Sequence, residues 1–336
     1  MSQKGQFQIT LSIEAGDALN FQADVLALKY AQAFYGVDGA VARLLFDGED
    51  DLDSLLPKVS GFRLLSSKGA IAAKDVLFVG VKPLGQFGYQ EIREFGRKIL
   101  TSLAGAAPET SHLCVTIHGP GYGLDETEAF ESEVAGLLDA IKSGDFPEEL
   151  RHITIIERNV ARANRLSAVL TRLLPNGLVE VGSGGEVKEL GDKATERLRS
   201  AGYASEDKQH IFVAMPFAEE MDDIFHYGIQ GAVHAAGFLC ERADLSTFTG
   251  DVIEWVKKRI ASSSLVIADL SAANPNVYLE VGFAWGCGRP TVLLCRDAEE
   301  LKFDVKSQRC LVYKKIRDLE ASLRKELEGL RNSLAG

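Results

Sequence analysis

Short apolar runs alternating with stretches of helical apolar spacing constrain this chain more than any other feature. In the second half the runs are residues 210–215 (HIFVAM), 238–241, 265–268 and 291–295. Between them lie helical patterns at 221–236 and at 251–262, the latter with Val252, Ile253, Val256 and Ile260 on one side. A small-residue helix opened by Glu280 precedes the last run. Apolar runs this short fit strands buried on both faces, and strand–helix–strand repetition implies right-handed crossovers and a parallel sheet.

The first half reads as a second α/β arrangement. Strands are expected at 7–13, 24–28, 70–71, 76–81, 112–118 and 152–157, and helices at 39–46, 89–104, 126–143 and 160–174. Residues 175–208 begin with a Pro-Asn-Gly turn and contain Gly182-Ser183-Gly184-Gly185. Few positions there can anchor a core, so the stretch reads as a linker with one possible helix. The expected organisation is a first domain over 1–174, this linker, a second domain over 209–315 and a terminal amphipathic helix over 316–336. That helix is expected either to dock on the second domain or to pair with another copy. A chain of 336 residues can bury two such cores.

Composition removes several function classes. A net charge of -11 argues against general binding to nucleic-acid backbones. No apolar run approaches the ~20 residues of a membrane span, and the first residues lack a signal-peptide core, so a cytoplasmic protein is expected. The five cysteines form no CxxC pair, and His226 and His234 have no ligand partner at metal spacing. Reduced core thiols and no metal are expected.

In the first half, the GDALNFQADV segment from Gly16, GVDGAVARLL from Gly36, KGAIAAKDVLFVGV from Lys68 and the glycine loop after Ile117 occur in that order. They resemble macro domains and the N-terminal domain of leucyl aminopeptidases. The resemblance implies a macro-like α/β/α sandwich that binds ADP-ribose or a related nucleotide. Asp17 then matches the adenine-contacting position, with Gly36 at the second turn. Gly119, Gly121, Tyr122 and Gly123 match the loop that cradles the diphosphate, where glycines let backbone amides approach phosphate. Where hydrolysing macro domains carry an asparagine, this chain reads ALKYAQAFY, so binding is expected there in preference to hydrolysis. The glycine loop also reads as a plain tight turn.

In the second half, IFVAMPF, CERAD, LVIADLS, NPNVYLEVGFAWGCGRP and LKFDVKSQRCLVY resemble nucleoside 2-deoxyribosyltransferases and TIR-like proteins. The resemblance implies a flavodoxin-like, doubly wound parallel sheet, common assembly as homo-oligomers, and a catalytic glutamate at Glu280. Breaking a base–ribose bond develops positive charge at the anomeric carbon, which a carboxylate beneath it can stabilise or trap as an ester. Asp244 or Asp269 is a candidate proton donor, and Asp269 equally suits ribose hydroxyls or the following turn. Met215, Pro216 and Phe217 are candidates for a loop over the substrate, or for core. Asn274 and Asn276 fit a ligand or a turn and cap, Tyr278 a stacking face, and Gly250 completes the substrate-binding set. The alternative for Glu280 is a carboxylate that merely favours a helix N-terminus.

Together the resemblances imply a bacterial antiviral-defence effector that cleaves the base–ribose bond of NAD or a related nucleotide. No cofactor is required, and an ADP-ribose-like nucleotide acts as activator at the first domain. Two further readings stand beside it: a non-catalytic nucleotide sensor or scaffold, and deoxyribosyl transfer between bases. Sequence leaves hydrolase and transferase open.

Overall fold

The structure, a computed structural model, describes residues 7–46, 55–120, 122–182, 187, 190–242, 250–306 and 308–334. By its contacts the chain divides into two compact units, one comprising residues 1–119 and 127–206, the other 120–126 and 207–336.

In the first unit, β1 (Phe7–Ala15), β2 (Val25–Tyr30), α1 (Val37–Leu45), β3 (Phe62–Ser66), β4 (Asp75–Gly80), α2 (Tyr89–Ala106), β5 (His112–Thr116), α3 (Glu126–Ser143), β6 (His152–Glu157), α4 (Val160–Leu173), β7 (Leu178–Val181) and α5 (Asp192–Ser200) follow one another. The sheet order is β3-β4-β2-β5-β6-β1-β7. The five inner strands run parallel, and the edge strands β3 and β7 run antiparallel to their neighbours. β2 (VLALKY) is buried at every position, as a central strand covered on both faces must be.

Two expectations fail here. Residues 70–71 lie in a turn, and the edge strand is β3, whose largely exposed FRLLS lacks the apolar run that marks an inner strand. The stretch 175–208, expected as a linker with a helix, does contain α5, but its described residues up to 206 belong by their contacts to the first unit. β7 pairs with β1, with Val181 opposite Phe7, and Val179 and Val181 are buried. The turn before it requires Gly177, at φ +65°, where a Cβ would sit 2.2 Å from the Leu11 carbonyl. Beyond α5, the buried Arg93 donates to the carbonyls of Leu198 (2.8 Å) and Ala201 (2.5 Å) and makes a bidentate pair with Asp139. The anchor is thus a guanidinium about a hundred positions away in sequence, satisfying carbonyls at a helix end.

In the second unit, β8 (His210–Ala214), α6 (Glu219–Asp223), a π-helical segment (Ile224–Gln230), α7 (Gly231–Ala235), β9 (Leu239–Glu241), α8 (Gly250–Ser262), β10 (Leu265–Asp269), α9 (Pro275–Gly286), β11 (Thr291–Cys295), α10 (Phe303–Lys306), β12 (Cys310–Val312) and α11 (Ile316–Leu334) form a five-stranded sheet ordered β12-β11-β10-β8-β9. All pairs are parallel. Renumbered within the unit, this is the 2-1-3-4-5 order of flavodoxin-like folds.

The alternation of side chains builds two cores from one sheet. Ile211, Val213, Leu265, Ile267, Val292 and Leu294 face the helical run 219–235 and α11. Phe212, Ala214, Val266, Ala268, Leu293 and Cys295 face α8, α9 and α10. The terminal helix docks on its own unit through Leu319, Leu323 and Leu327, one turn apart and buried.

Candidate functional site

In a doubly wound sheet the ligand crevice lies outside the carboxyl ends of the strands, where the order reverses. Here the reversal is at β8, flanked by β9 and β10. β8 delivers Met215, Pro216 and Phe217 to that edge, β9 delivers Arg242 and β10 delivers Asp269.

Asp269 is fully buried, and both carboxylate oxygens are engaged. Oδ1 accepts from the Ser271 amide (2.9 Å), and Oδ2 accepts from the Tyr313 hydroxyl (2.6 Å). The Ser271 hydroxyl in turn accepts from the Arg296 amide (3.0 Å). Burial, with Asp269 alongside, pushes the Tyr313 phenol up, which keeps it a donor. Asp269 therefore pins the turn after β10 to the end of β12. This is the turn-capping use that stood beside the expected roles of proton donor and ribose ligand. Tyr313 and Ser271 were not singled out from sequence; Tyr313 ends the quoted RCLVY segment, and its meeting with Asp269 depends on the sheet order.

Asn274 caps α9, accepting from the Asn276 amide at 2.9 Å, with Pro275 in the first helical position. That is the turn-and-cap use foreseen for the two asparagines. Glu280 is the sixth residue of this helix and shares its buried stripe with Val277, Val281 and Ala284. The capping alternative for Glu280 is thereby overturned: it lies beyond the first turn, which holds no acid. Only 7% of its surface is accessible, and its carboxyl has no hydrogen-bond or ion-pair partner among the described residues. Burial alone pushes it up to about 8.

Met215 is core, whereas Phe217 is 40% exposed. The Arg242 guanidinium stacks on the Phe217 ring at 4.0 Å and on Phe225 at 4.2 Å, pairs with Asp222 at 3.1 Å and donates to Met215 Sδ at 3.6 Å. The expected loop is thus ordered by a cation that the CERAD segment contains but sequence reasoning did not assign. Tyr278 is part-buried, and its hydroxyl accepts from the Lys302 amide at 3.3 Å. Gly250 opens α8. Asp244 lies outside the described residues.

In the first unit, Asp17 follows β1, Gly36 follows β2 and Gly119 follows β5, all at the carboxyl edge of parallel strands. One Asp17 oxygen caps its own turn, accepting from the Leu19 amide at 3.0 Å. Gly36 stands at φ +105° before α1, with open space where a Cβ would point. Beside it Asp38 accepts from the Tyr35 amide and lies 4.0 Å from the buried Lys29. Burial, aided by Lys29, pushes the His118 imidazole well down. Burial also pushes the Glu133 carboxyl up to about 8, against the pull of the His118 amide. Lys29, His118 and Glu133 were not assigned from sequence, because each sits inside an ordinary strand, turn or helix pattern. By contacts the boundary between the units falls within the glycine loop: Gly119 groups with the first unit, Tyr122 and Gly123 group with the second, and Gly121 lies outside the described residues. Segment 120–126 is held in that unit by buried Asp125, which accepts from the Cys240 amide at 2.8 Å and faces His234 Nε2 at 2.6 Å.

Fold and site thus define a two-unit α/β protein: a mixed sheet with parallel inner strands, and a doubly wound parallel sheet whose helix after β10 carries a buried acid with no partner among the described residues. About half the chain is similar to macrodomains. The Oceanobacillus iheyensis macrodomain with MES bound is 14% identical, at a TM-score of 0.40 over 50% of this chain and 98% of that one. The Trypanosoma brucei macrodomain in complex with ADP-ribose is 18% identical, at 0.39 over 48% and 69%. The macro domain of ganglioside induced differentiation associated protein 2 is 12% identical, at 0.38 over 49% and 83%. No protein-family model and no curated protein matches the chain. The resemblance to deoxyribosyltransferases and TIR-like proteins rests on sequence segments alone. Among the described residues, no helix is long and apolar enough to cross a membrane.

Proposed function

We propose that the second unit cleaves the base–ribose bond of NAD or a related nucleotide with Glu280 as the reacting carboxyl, and that the first unit binds a nucleotide at its glycine-bearing turns. The observation that carries the reading is Glu280, buried on the helix that follows β10 and without a partner among the described residues. A carboxylate disfavoured by desolvation alone is stabilised when positive charge arrives beside it. In N-glycoside cleavage that charge arrives in the transition state, as the bonding pair leaves with the base and the anomeric carbon becomes cationic. The interaction therefore strengthens most where it accelerates the reaction. Water then adds to the anomeric carbon and gives up a proton to Glu280.

The reading favours a substrate whose base leaves unprotonated. Asp269 already holds Tyr313 and Ser271, and a neutral purine or pyrimidine needs a proton donor. A base that leaves from a cationic ring, as nicotinamide does, needs none. Incubating the chain with NAD and following nicotinamide by chromatography tests this. Glu280→Gln is expected to lower release about 100-fold or more. Because the ionised form of Glu280 is required, kcat/KM is expected to climb as pH rises through about 8. Equal inertness of wild type and variant towards NAD, nucleosides and nucleotides, with and without ADP-ribose, overturns the reading.

The neutral carboxyl also suits a second reading, since a protonated Glu280 can donate a hydrogen bond to a ligand that is bound and never cleaved. Thermal shifts with ADP-ribose or NAD and no released base favour that sensor.

A further inference from the structure

Cys295 ends β11 and Cys310 opens the neighbouring edge strand β12. In their parallel register Cys310 lies opposite Leu293, and Cys295 lies opposite Val312. The two cysteines are thus offset by two positions and share one face of the sheet. Their Sγ atoms are 3.2 Å apart. Cys295 is buried and Cys310 half-buried. A disulfide requires about 2.05 Å, so the sulfurs are little more than ~1 Å from bonding distance.

We propose that Cys295 and Cys310 are an oxidation site, at which a hydroperoxide converts two contacting thiols into a disulfide that ties β12 to β11. The half-buried Cys310 sulfur reacts first. It takes one oxygen of hydrogen peroxide, the O–O bond breaks, and water leaves a sulfenic acid. The Cys295 thiol attacks that sulfur, the S–S bond forms, the S–O bond breaks, and the thiol proton leaves with the hydroxide as a second water. Two thiols and one peroxide become one disulfide and two waters. Burial and the adjacent sulfur push the Cys310 thiol up, so the first step is slow at neutral pH. The second is fast, because the attacking group is already in contact.

The consequence reaches the neighbouring polar network. β12 has three residues and is paired on one side only, so it is the partner that yields when the sulfurs close. Tyr313 follows it directly. Its amide donates to the Cys295 carbonyl at 3.0 Å, and its hydroxyl donates to Asp269 at 2.6 Å. Drawing β12 inward shifts Tyr313 against Asp269 and with it the turn that leads to α9. This inference is independent of any activity at Glu280.

The test treats the full chain, native and reduced, with hydrogen peroxide, then unfolds it in alkylating reagent for intact mass and peptide mapping. The expected result is a loss of about 2 Da before alkylation. Three of the five cysteines then remain alkylable, and one peptide pair joins Cys295 to Cys310. Cys310→Ser is expected to form no such cross-link, and Cys295→Ser to stop at a sulfenic acid on Cys310 that dimedone traps. Hydrogen exchange at the Tyr313 amide should change in the oxidised wild type and not in peroxide-treated Cys310→Ser. Sulfinic acid at Cys310 without a cross-link, or a bridge from Cys310 to another cysteine, overturns the site. The expected bridge with unchanged exchange at Tyr313 overturns its link to Asp269.

Discussion

Asp269, at the end of β10, and Glu280, on the helix that follows it, are both buried acids, yet their surroundings give them opposite characters. Asp269 has a phenol and an amide as partners, whereas Glu280 has desolvation and, among the described residues, nothing to offset it. The difference has a measurable consequence for stability. Glu280 is raised from 4.5 to about 8, so the folded chain holds a proton that the unfolded chain has released between those values. Where the folded state binds more protons, stability falls as pH rises. Glu280→Gln removes this loss while keeping the shape of the side chain. The variant should therefore gain on wild type between pH 5 and 8, by on the order of 1–3 kcal/mol in paired denaturant titrations. A pH-independent difference would show that Glu280 finds a partner in solution. Comparing the two chains cancels Glu133, which carries a similar shift in the other unit.

At the scale of elements, α2 and α3 approach so closely that side chains are excluded. A Cβ on Gly136 would lie 1.9 Å from the Arg93 carbonyl, and one on Gly96 would lie 2.5 Å from the Glu133 carbonyl. Both obstacles are backbone, so neither can rotate away. Gly136→Ala should destabilise the first unit by about 1–3 kcal/mol or more, read from its thermal or denaturant midpoint. Nothing in REFGRK or EVAGLL announces that crossing, because a glycine inside a helical pattern reads only as a weak position. The inner strands were legible, since VLAL, VLFVGV and LVIA are apolar throughout and need only be buried. Edge strands were less so: β9 was expected at 238–241, but FRLLS is exposed and CLV is too short to show a period. β7 was hidden because its partner, β1, lies at the far end of the unit's sequence. That Glu280 lies on a helix after the LVIAD strand was legible from the order of runs. That no described residue pairs with it was not, because partners are set by side-chain direction and not by spacing.

At the scale of the whole molecule, each unit has its own sheet and its own buried clusters. Two separate cores can melt separately, and a single midpoint is then not a defined quantity. Calorimetry should resolve two transitions, assigned by variants in each unit. Gly136→Ala is expected to lower only the first unit's transition. Leu323→Ala, on the buried face of α11, should lower only the second unit's, at a cost of about 2–5 kcal/mol. A single transition moved by both variants would show that the units fold as one.

The π-helical turn at Ile224–Gln230 gives the second unit one more property. A helix widened in this way holds one residue more than an α-helix of the same reach. It uses that residue to keep Met221 and Phe225 buried on one side of it and Ile229 and Val233 buried on the other. The run 219–235 is therefore length-coded as well as pattern-coded. Losing a single position there would leave every apolar residue in place in the sequence and yet turn one half of the helix about a quarter-turn out of phase with the core beneath it.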